Sequence, residues 1–289
     1  MIEFIKMEAT GNDYIYIDCF KNDIRKISEL KQIVIKMCNR NFGIGSDGVI
    51  LICPSEIADA KMVMYNIDGS EGNMCGNGIR CVAKYVYENI INKQDVIIET
   101  KSGLKQINLN IQNGNIIDIT VNMEKPVFKP DLIPVITEKK MLLNEIINIS
   151  GNVYYITCLS MGNPHTVIFF EEIDNLDLDE IGKKIENNDI FPDRTNVEFV
   201  QIINKNKIKI RVWERGCGET LSCGTGACAS VVAGILNGYL DSNEIEVNLK
   251  GGTLYIKYEN EVIMRGPANN VYYGKYIIKD STSIDIDLK

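Results

Sequence analysis

Short runs in which apolar and polar residues alternate set the character of this chain. Lys207-Ile-Lys-Ile-Arg-Val-Trp213 places Ile208, Ile210 and Val212 on one side and charged residues on the other, the pattern of a half-buried strand. Tyr14–Ile17, Met62–Tyr65, Val96–Ile98, Ile116–Val121, Val167–Phe170 and Asn196–Ile203 are rich in β-branched and aromatic residues and read as further strands. Helical periodicity is rarer. Leu30, Ile33, Val34 and Met37 form one apolar face, with Ser28 as the expected cap. Two more helices are expected to begin at Cys75-Gly-Asn-Gly and Cys223-Gly-Thr-Gly. They would bury Ile79, Val82, Ala83 and Val86 in one case, and Ala227, Ala229, Val231 and Val232 in the other.

These two segments belong to a longer internal echo. Gly11-Asn12 precedes one strand and Gly162-Asn163 another; Cys75 follows Gly11 by 75 − 11 = 64 positions and Cys223 follows Gly162 by 223 − 162 = 61. A glycine turn then leads into a strand at Gly103, 103 − 75 = 28 positions on, and at Gly252, 252 − 223 = 29 positions on. Three landmarks in one order at near-equal spacing predict a duplicated α+β unit. Pro126, Pro130 and Pro134 lie between the copies in a stretch expected to be an extended crossover.

Composition narrows the function. The 289 residues are 45% hydrophobic and 24% charged, ordinary for a globular protein of one or two domains. A net charge of −8 with no basic run argues against nucleic acid or an anionic membrane as partner. No apolar run is long enough to span a bilayer, and Met1 opens into an amphipathic segment without a signal pattern, so a soluble, cytoplasmic protein is expected. Nine cysteines scattered along a long chain do not read as a secreted disulfide framework. The single histidine, His165, leaves little room for a hydrolase triad or a multi-histidine metal site. Cys217, Cys223 and Cys228 cluster, but their gaps form no Cys-x-x-Cys pair.

The chemistry concentrates in the two cysteine loops. Glycines let the backbone approach a ligand, and the first helical turn offers unpaired N–H groups and the positive end of a dipole, a ready site for a carboxylate. The same field is expected to lower the pKa of a cysteine at the helix start. Two such sulfurs facing one cleft suit inversion of an α-carbon: one takes the proton from one face, the other returns a proton to the opposite face. The carbanion pushes charge onto the carboxylate, where helix N–H groups stabilise it.

The motifs resemble those of diaminopimelate epimerases. Asn66-Ile-Asp-Gly-Ser70 followed by Met74-Cys-Gly-Asn-Gly-Ile-Arg-Cys81 is similar to the family's first active-cysteine motif. Glu214-Arg-Gly-Cys-Gly-Glu-Thr220 with Cys223-Gly-Thr-Gly-Ala-Cys-Ala229 is similar to the second. Gly11-Asn-Asp13, Gly43-Ile-Gly-Ser-Asp-Gly48 and Met161-Gly-Asn-Pro-His165 follow the family's order, so the resemblance covers nearly the whole chain. It implies an isomerase that interconverts LL- and meso-diaminopimelate for lysine and peptidoglycan synthesis, without pyridoxal or any other cofactor and without a metal. The implied fold is α+β: two pseudo-symmetric lobes, each a curved, mostly antiparallel sheet around a central helix. Residues 1–122 plus 266–289 would carry Cys75, and residues 123–265 would carry Cys223.

The resemblance further implies that Cys75 and Cys223 are the acid/base pair and that His165 and Glu214 tune it. Asn12, Asn66, Gly76, Asn77, Asn163, Asn196, Glu214, Arg215, Gly224 and Thr225 would contact substrate, and Tyr272 would sit at a homodimer contact. Tyr14, Ser46, Gly48 and Cys217 depart from the more familiar family residues. The competing readings are a two-cysteine racemase for another amino acid (lanthionine, histidine or a proline type), a phenazine-pathway-type isomerase on a related scaffold, and a non-catalytic amino-acid binding protein.

Overall fold

The computed structural model describes residues 1–241 and 243–278. Each half of the chain runs through the same sequence of pairings. In the first, Ile2–Ala9 pairs antiparallel with Asn12–Asp18, which runs parallel to Gly48–Cys53. That strand pairs antiparallel with Ala60–Asn66, which lies beside Glu71–Gly72 and runs parallel to Asp95–Thr100; hairpins then lead through Gly103–Gln112 and Asn115–Asn122. The second half repeats this with Asn152–Ser160, Pro164–Phe170, Asn196–Asn204, Lys207–Glu214, Gly218–Thr220, Ile245–Leu249, Gly252–Tyr258 and Val262–Gly266. The duplication expected from three landmarks is therefore present strand by strand. Gly11 and Gly162 even share a left-handed backbone, at φ +81° and +94°.

Parallel neighbours need a crossover, and each half has two. Four helices supply them: α1 (Leu30–Cys38), α2 (Gly76–Asn89), α3 (Leu178–Glu186) and α4 (Gly224–Leu236). α1 and α3 each cover an outer apolar cluster, built on Ile33, Val34 and Met37 and on Leu178 and Ile185 respectively. α2 and α4 are central. Both contribute to one continuous core, where Ile79, Val82 and Val86 meet Ala227, Val231 and Val232 with no exposed surface. α4 is buried almost all round, so its sequence reads as apolar rather than amphipathic.

The two lobes are stitched by Asn115–Asn122 and Val262–Gly266, the last strand of each repeat, pairing antiparallel. After that strand the chain returns to the first lobe, where Asn269–Tyr276 pairs with Ile2–Ala9. Glu145–Ile149 takes the matching place beside Asn152–Ser160. The proline stretch between lobes holds one 3-10 turn, Pro130–Leu132, and a bridge from Val127 to Ser160. The expected cap at Ser28 is corrected: Glu29 occupies the cap position without a side-chain bond. The preceding 3-10 turn Ile24–Lys26 leads directly into α1, and the Leu30 N–H donates to the Ile27 carbonyl at 3.3 Å.

Candidate active site

α2 and α4 both start on a cysteine, in the same conformation. Cys75 (φ −126°, ψ 118°) and Cys223 (φ −120°, ψ 110°) take the N-cap place usually held by Ser, Thr, Asp or Asn. Each Sγ accepts the N–H three residues on, from Gly78 and from Gly226, both at 3.3 Å. Both glycines are closely packed, and a side chain at either would force a neighbour to shift. A Cβ at Gly78 would lie 2.6 Å from Ile50 Cδ1, and one at Gly226 would lie 2.7 Å from Glu198 Oε1. The Cys75 thiol also donates to Asn12 Oδ1 at 3.3 Å, and Cys223 shares a hydrogen with Thr225 Oγ1 at 3.3 Å. Asn12 is held in that orientation because its Nδ2 donates to Asp47 Oδ2 at 2.8 Å.

The two helix starts touch. Asn77, 2% exposed, donates from Nδ2 to Ser222 Oγ at 3.2 Å and to the Ser222 carbonyl at 3.4 Å. A Cβ at Gly224 would lie 3.2 Å from Asn77 Oδ1, a buried oxygen without a donor. A Cβ at Gly76 would meet the methyl groups of Met264 and Met123 at 3.1 and 3.2 Å. Behind this join Arg80, fully buried, donates to the Gly76 and Pro267 carbonyls and to Thr10 Oγ1. Thr10 in turn shares a hydrogen with Ser222 at 2.7 Å.

The electrostatics correct one sequence expectation. Burial pushes the Cys75 thiol up, outweighing the lowering by the Gly78 and Asn77 N–H groups. Burial raises the Cys223 thiol well above its ordinary value, and the Glu214 and Glu198 carboxylates add to the effect. The helix-start field is present and loses to desolvation. Glu214 bears on both sulfurs, and its own carboxyl is raised by burial although Thr220 Oγ1 donates to it at 2.5 Å.

His165 is wholly buried opposite Asn196 on the parallel neighbouring strand. Its Nδ1 is 2.7 Å from Glu198 Oε1 and its Nε2 is 3.0 Å from Asn163 Oδ1. Asn196 spends both ends of its amide on backbone: Nδ2 donates to the Pro164 carbonyl at 2.7 Å, and Oδ1 accepts the Arg215 N–H at 2.9 Å. Arg215 is exposed and donates from Nη1 to the Asp193 carbonyl at 2.9 Å. Asn66 donates to Ser70 Oγ at 3.0 Å. Tyr272 lies on the exposed strand Asn269–Tyr276, its ring edge-on to Phe4. Among the described residues, no group of three or more His, Cys, Asp and Glu side chains stands together as a metal site.

Glu198, Asp47, Ser222 and Arg80 escaped the sequence reading. The sequence places Glu198 two residues after Asn196 and between Val197 and Phe199, in a run without the polar–apolar alternation that would reveal where it faces.

The fold is shared with solved structures of other proteins. A phenazine biosynthesis protein of the PhzF family from Bacillus anthracis superposes with a TM-score of 0.67 at 19% identity, covering 96% of this chain and 99% of that one. A probable proline racemase from Agrobacterium radiobacter K84 gives 0.70 at 13% identity, covering 98% and 95%. Sequence goes further. The diaminopimelate epimerase family profile matches residues 4–129 and 157–271. A diaminopimelate epimerase of Desulfovibrio desulfuricans is 47% identical over 287 residues, covering 96% of this chain and 99% of its own length. One from Acetivibrio thermocellus is 46% identical over 278 residues, covering 95% and 98%. The chain belongs to the diaminopimelate epimerase family. Among the described residues no helix is long and apolar enough to cross a membrane.

Proposed function

We propose that this chain is an epimerase that interconverts LL- and meso-diaminopimelate on the route to lysine, using Cys75 and Cys223 as opposed acid and base and no cofactor. The observation that carries this reading is the pair of matching cysteine caps, with equal Sγ–N–H distances of 3.3 Å, on central helices joined by the Asn77–Ser222 hydrogen bonds. The thiolate of one cysteine removes the α-proton, and the thiol of the other protonates the opposite face. Charge developing on the carboxylate is met by the first turns of α2 and α4, at Gly76, Asn77, Gly224 and Thr225.

Burial by itself favours two thiols. The ammonium of a bound amino acid supplies the positive charge that draws one of them into the thiolate form. Asn12, Asn66, Asn163, Asn196, Glu214 and Arg215 form the remaining substrate contacts in this reading, with Asn196 acting through the Arg215 backbone. His165 and Glu214 set the balance between the sulfurs.

We place the lobe boundaries at 122/123 and 265/266, so that the closing strand Asn269–Tyr276 belongs with Ile2–Ala9; residues 279–289 of this division lie outside the described residues. A cytoplasmic homodimer formed along the strand carrying Val271, Tyr272 and Tyr273 completes the proposal; these side chains are 55%, 44% and 65% exposed. The test is incubation of the purified protein with LL-diaminopimelate alone, followed by chiral chromatography. The meso isomer appears if the reading holds, and an unchanged substrate overturns it.

A further inference from the structure

Glu198 is a carboxylate beside the Cys223 loop that neither the mechanism nor a structural need accounts for. It has no exposed surface, and neither has its partner His165. The two sit on parallel strands, His165 opposite Asn196 and Glu198 two residues further along the same face. Oε1 is 2.7 Å from His165 Nδ1, while Oε2 has no hydrogen-bond partner among the described residues. A buried carboxylate with one oxygen unpaired is a poor device for stability, since an apolar pair of the same volume would serve the core as well or better. The first turn of α4 is nevertheless shaped around it. A Cβ at Gly226 would lie 2.7 Å from Glu198 Oε1 and force that carboxylate to move, and the N–H of that same Gly226 is the donor to Cys223 Sγ.

We infer that Glu198 is a positioning residue of the active site: its carboxylate keeps a proton on His165 Nδ1 and thereby fixes the ring so that Nε2 addresses Asn163. The inference rests on the proposal that the cysteine site is catalytic. A neutral imidazole carries one N–H, and the carboxylate is a far better acceptor for it than an amide oxygen. Nε2 is then left as an acceptor facing the Asn163 amide 3.0 Å away, which presents its NH2 to that nitrogen by turning over. Loss of the carboxylate frees the ring to exchange its tautomer. Glu214 and Cys223, both of which feel the Glu198 charge, are the groups through which that disorder reaches the reaction.

His165 is the only histidine in the chain, so the imidazole signals of untagged, 15N-labelled protein belong to one residue. The expected wild-type spectrum shows a protonated Nδ1 with a far-downfield hydrogen. Glu198→Gln moves that hydrogen upfield and lowers kcat by about 10–100-fold, the usual effect of losing a partner that orients a functional histidine, with KM within about two-fold. A wild-type ring protonated on Nε2 alone overturns the inference, as does a Glu198→Gln enzyme with unchanged spectrum and unchanged kcat. The wild-type spectrum decides even if the variant does not fold. It also stands apart from the epimerase proposal, because the protonated nitrogen is read without turnover.

Discussion

The side-chain amide of Asn77, in the first turn of α2, bonds to the hydroxyl and the carbonyl of Ser222, the residue before Cys223, at 3.2 and 3.4 Å. One buried amide thus fastens the lobe carrying Cys75 to the loop that aims Cys223, and it fixes the relation between the two sulfurs. Asn77→Leu keeps the volume and removes both bonds. It leaves the Ser222 carbonyl without that donor, while the hydroxyl keeps Thr10, and about 1–3 kcal/mol of unfolding free energy is lost. kcat/KM is expected to fall by at least about ten-fold, because misplacement of catalytic groups by an ångström costs rate steeply. Denaturant unfolding and steady-state kinetics check the two effects separately.

The cysteines divide into two kinds. Cys75→Ala and Cys223→Ala are each expected to abolish epimerisation, since each removes the acid or base for one face of the carbon. Cys81 and Cys228 follow within the same helices but are fully buried in the core. Their alanine variants should retain catalysis and lose about 1 kcal/mol of stability, from a small cavity. Activity assays on the four purified variants settle the division.

Sequence and structure agree most closely where chemistry and backbone make the same demand. Cys-Gly-x-Gly marks a helix start because glycine suits close packing there, and a Cβ at Gly78 or Gly226 would come within 3 Å of a neighbouring side chain. The strand Lys207–Glu214 was legible from alternation because only one of its faces is fully buried. Glu198 was not. The run Asn196–Val200 is buried at every position, so period-two patterning carries no information about which side faces what. Nor does sequence reveal pairing between Asn122 and Ile263, separated by 263 − 122 = 141 positions. The sign of the thiol shifts was misjudged for a related reason: a motif locates the helix dipole but not the depth of burial that outweighs it.

That sign has a measurable consequence. Burial raises the Cys81, Cys158 and Cys228 thiols from 9.0 to about 12. Between those values the folded state keeps protons that the unfolded chain has released, so the stability they contribute is present below about pH 9 and is lost as pH rises toward 12. The melting temperature should fall across that window, and Cys158→Ala should make the fall shallower. Alkylation of Cys75 and Cys223 in the empty enzyme should likewise be slow at neutral pH and speed up in alkali.

Arg215 carries the substrate prediction. Its guanidinium is exposed and donates to the Asp193 carbonyl, and its backbone is anchored through Asn196. A distal carboxylate would pair with the free edge of the fork. Arg215→Met should cripple turnover of diaminopimelate, and Arg215→Lys should retain part of it by keeping charge without the fork. Wild-type kcat/KM should favour LL-diaminopimelate over L-histidine; the reverse preference would overturn the substrate assignment and leave the two-thiol chemistry standing.

The proton transfer itself is tested most directly by a single turnover of LL-diaminopimelate in heavy water, followed by mass spectrometry of the separated isomers. Two opposed thiols equilibrated with solvent predict that the meso product carries one deuterium, on the inverted α-carbon, while unreacted LL substrate carries none. A meso product that retains its original α-hydrogen would contradict transfer through Cys75 and Cys223.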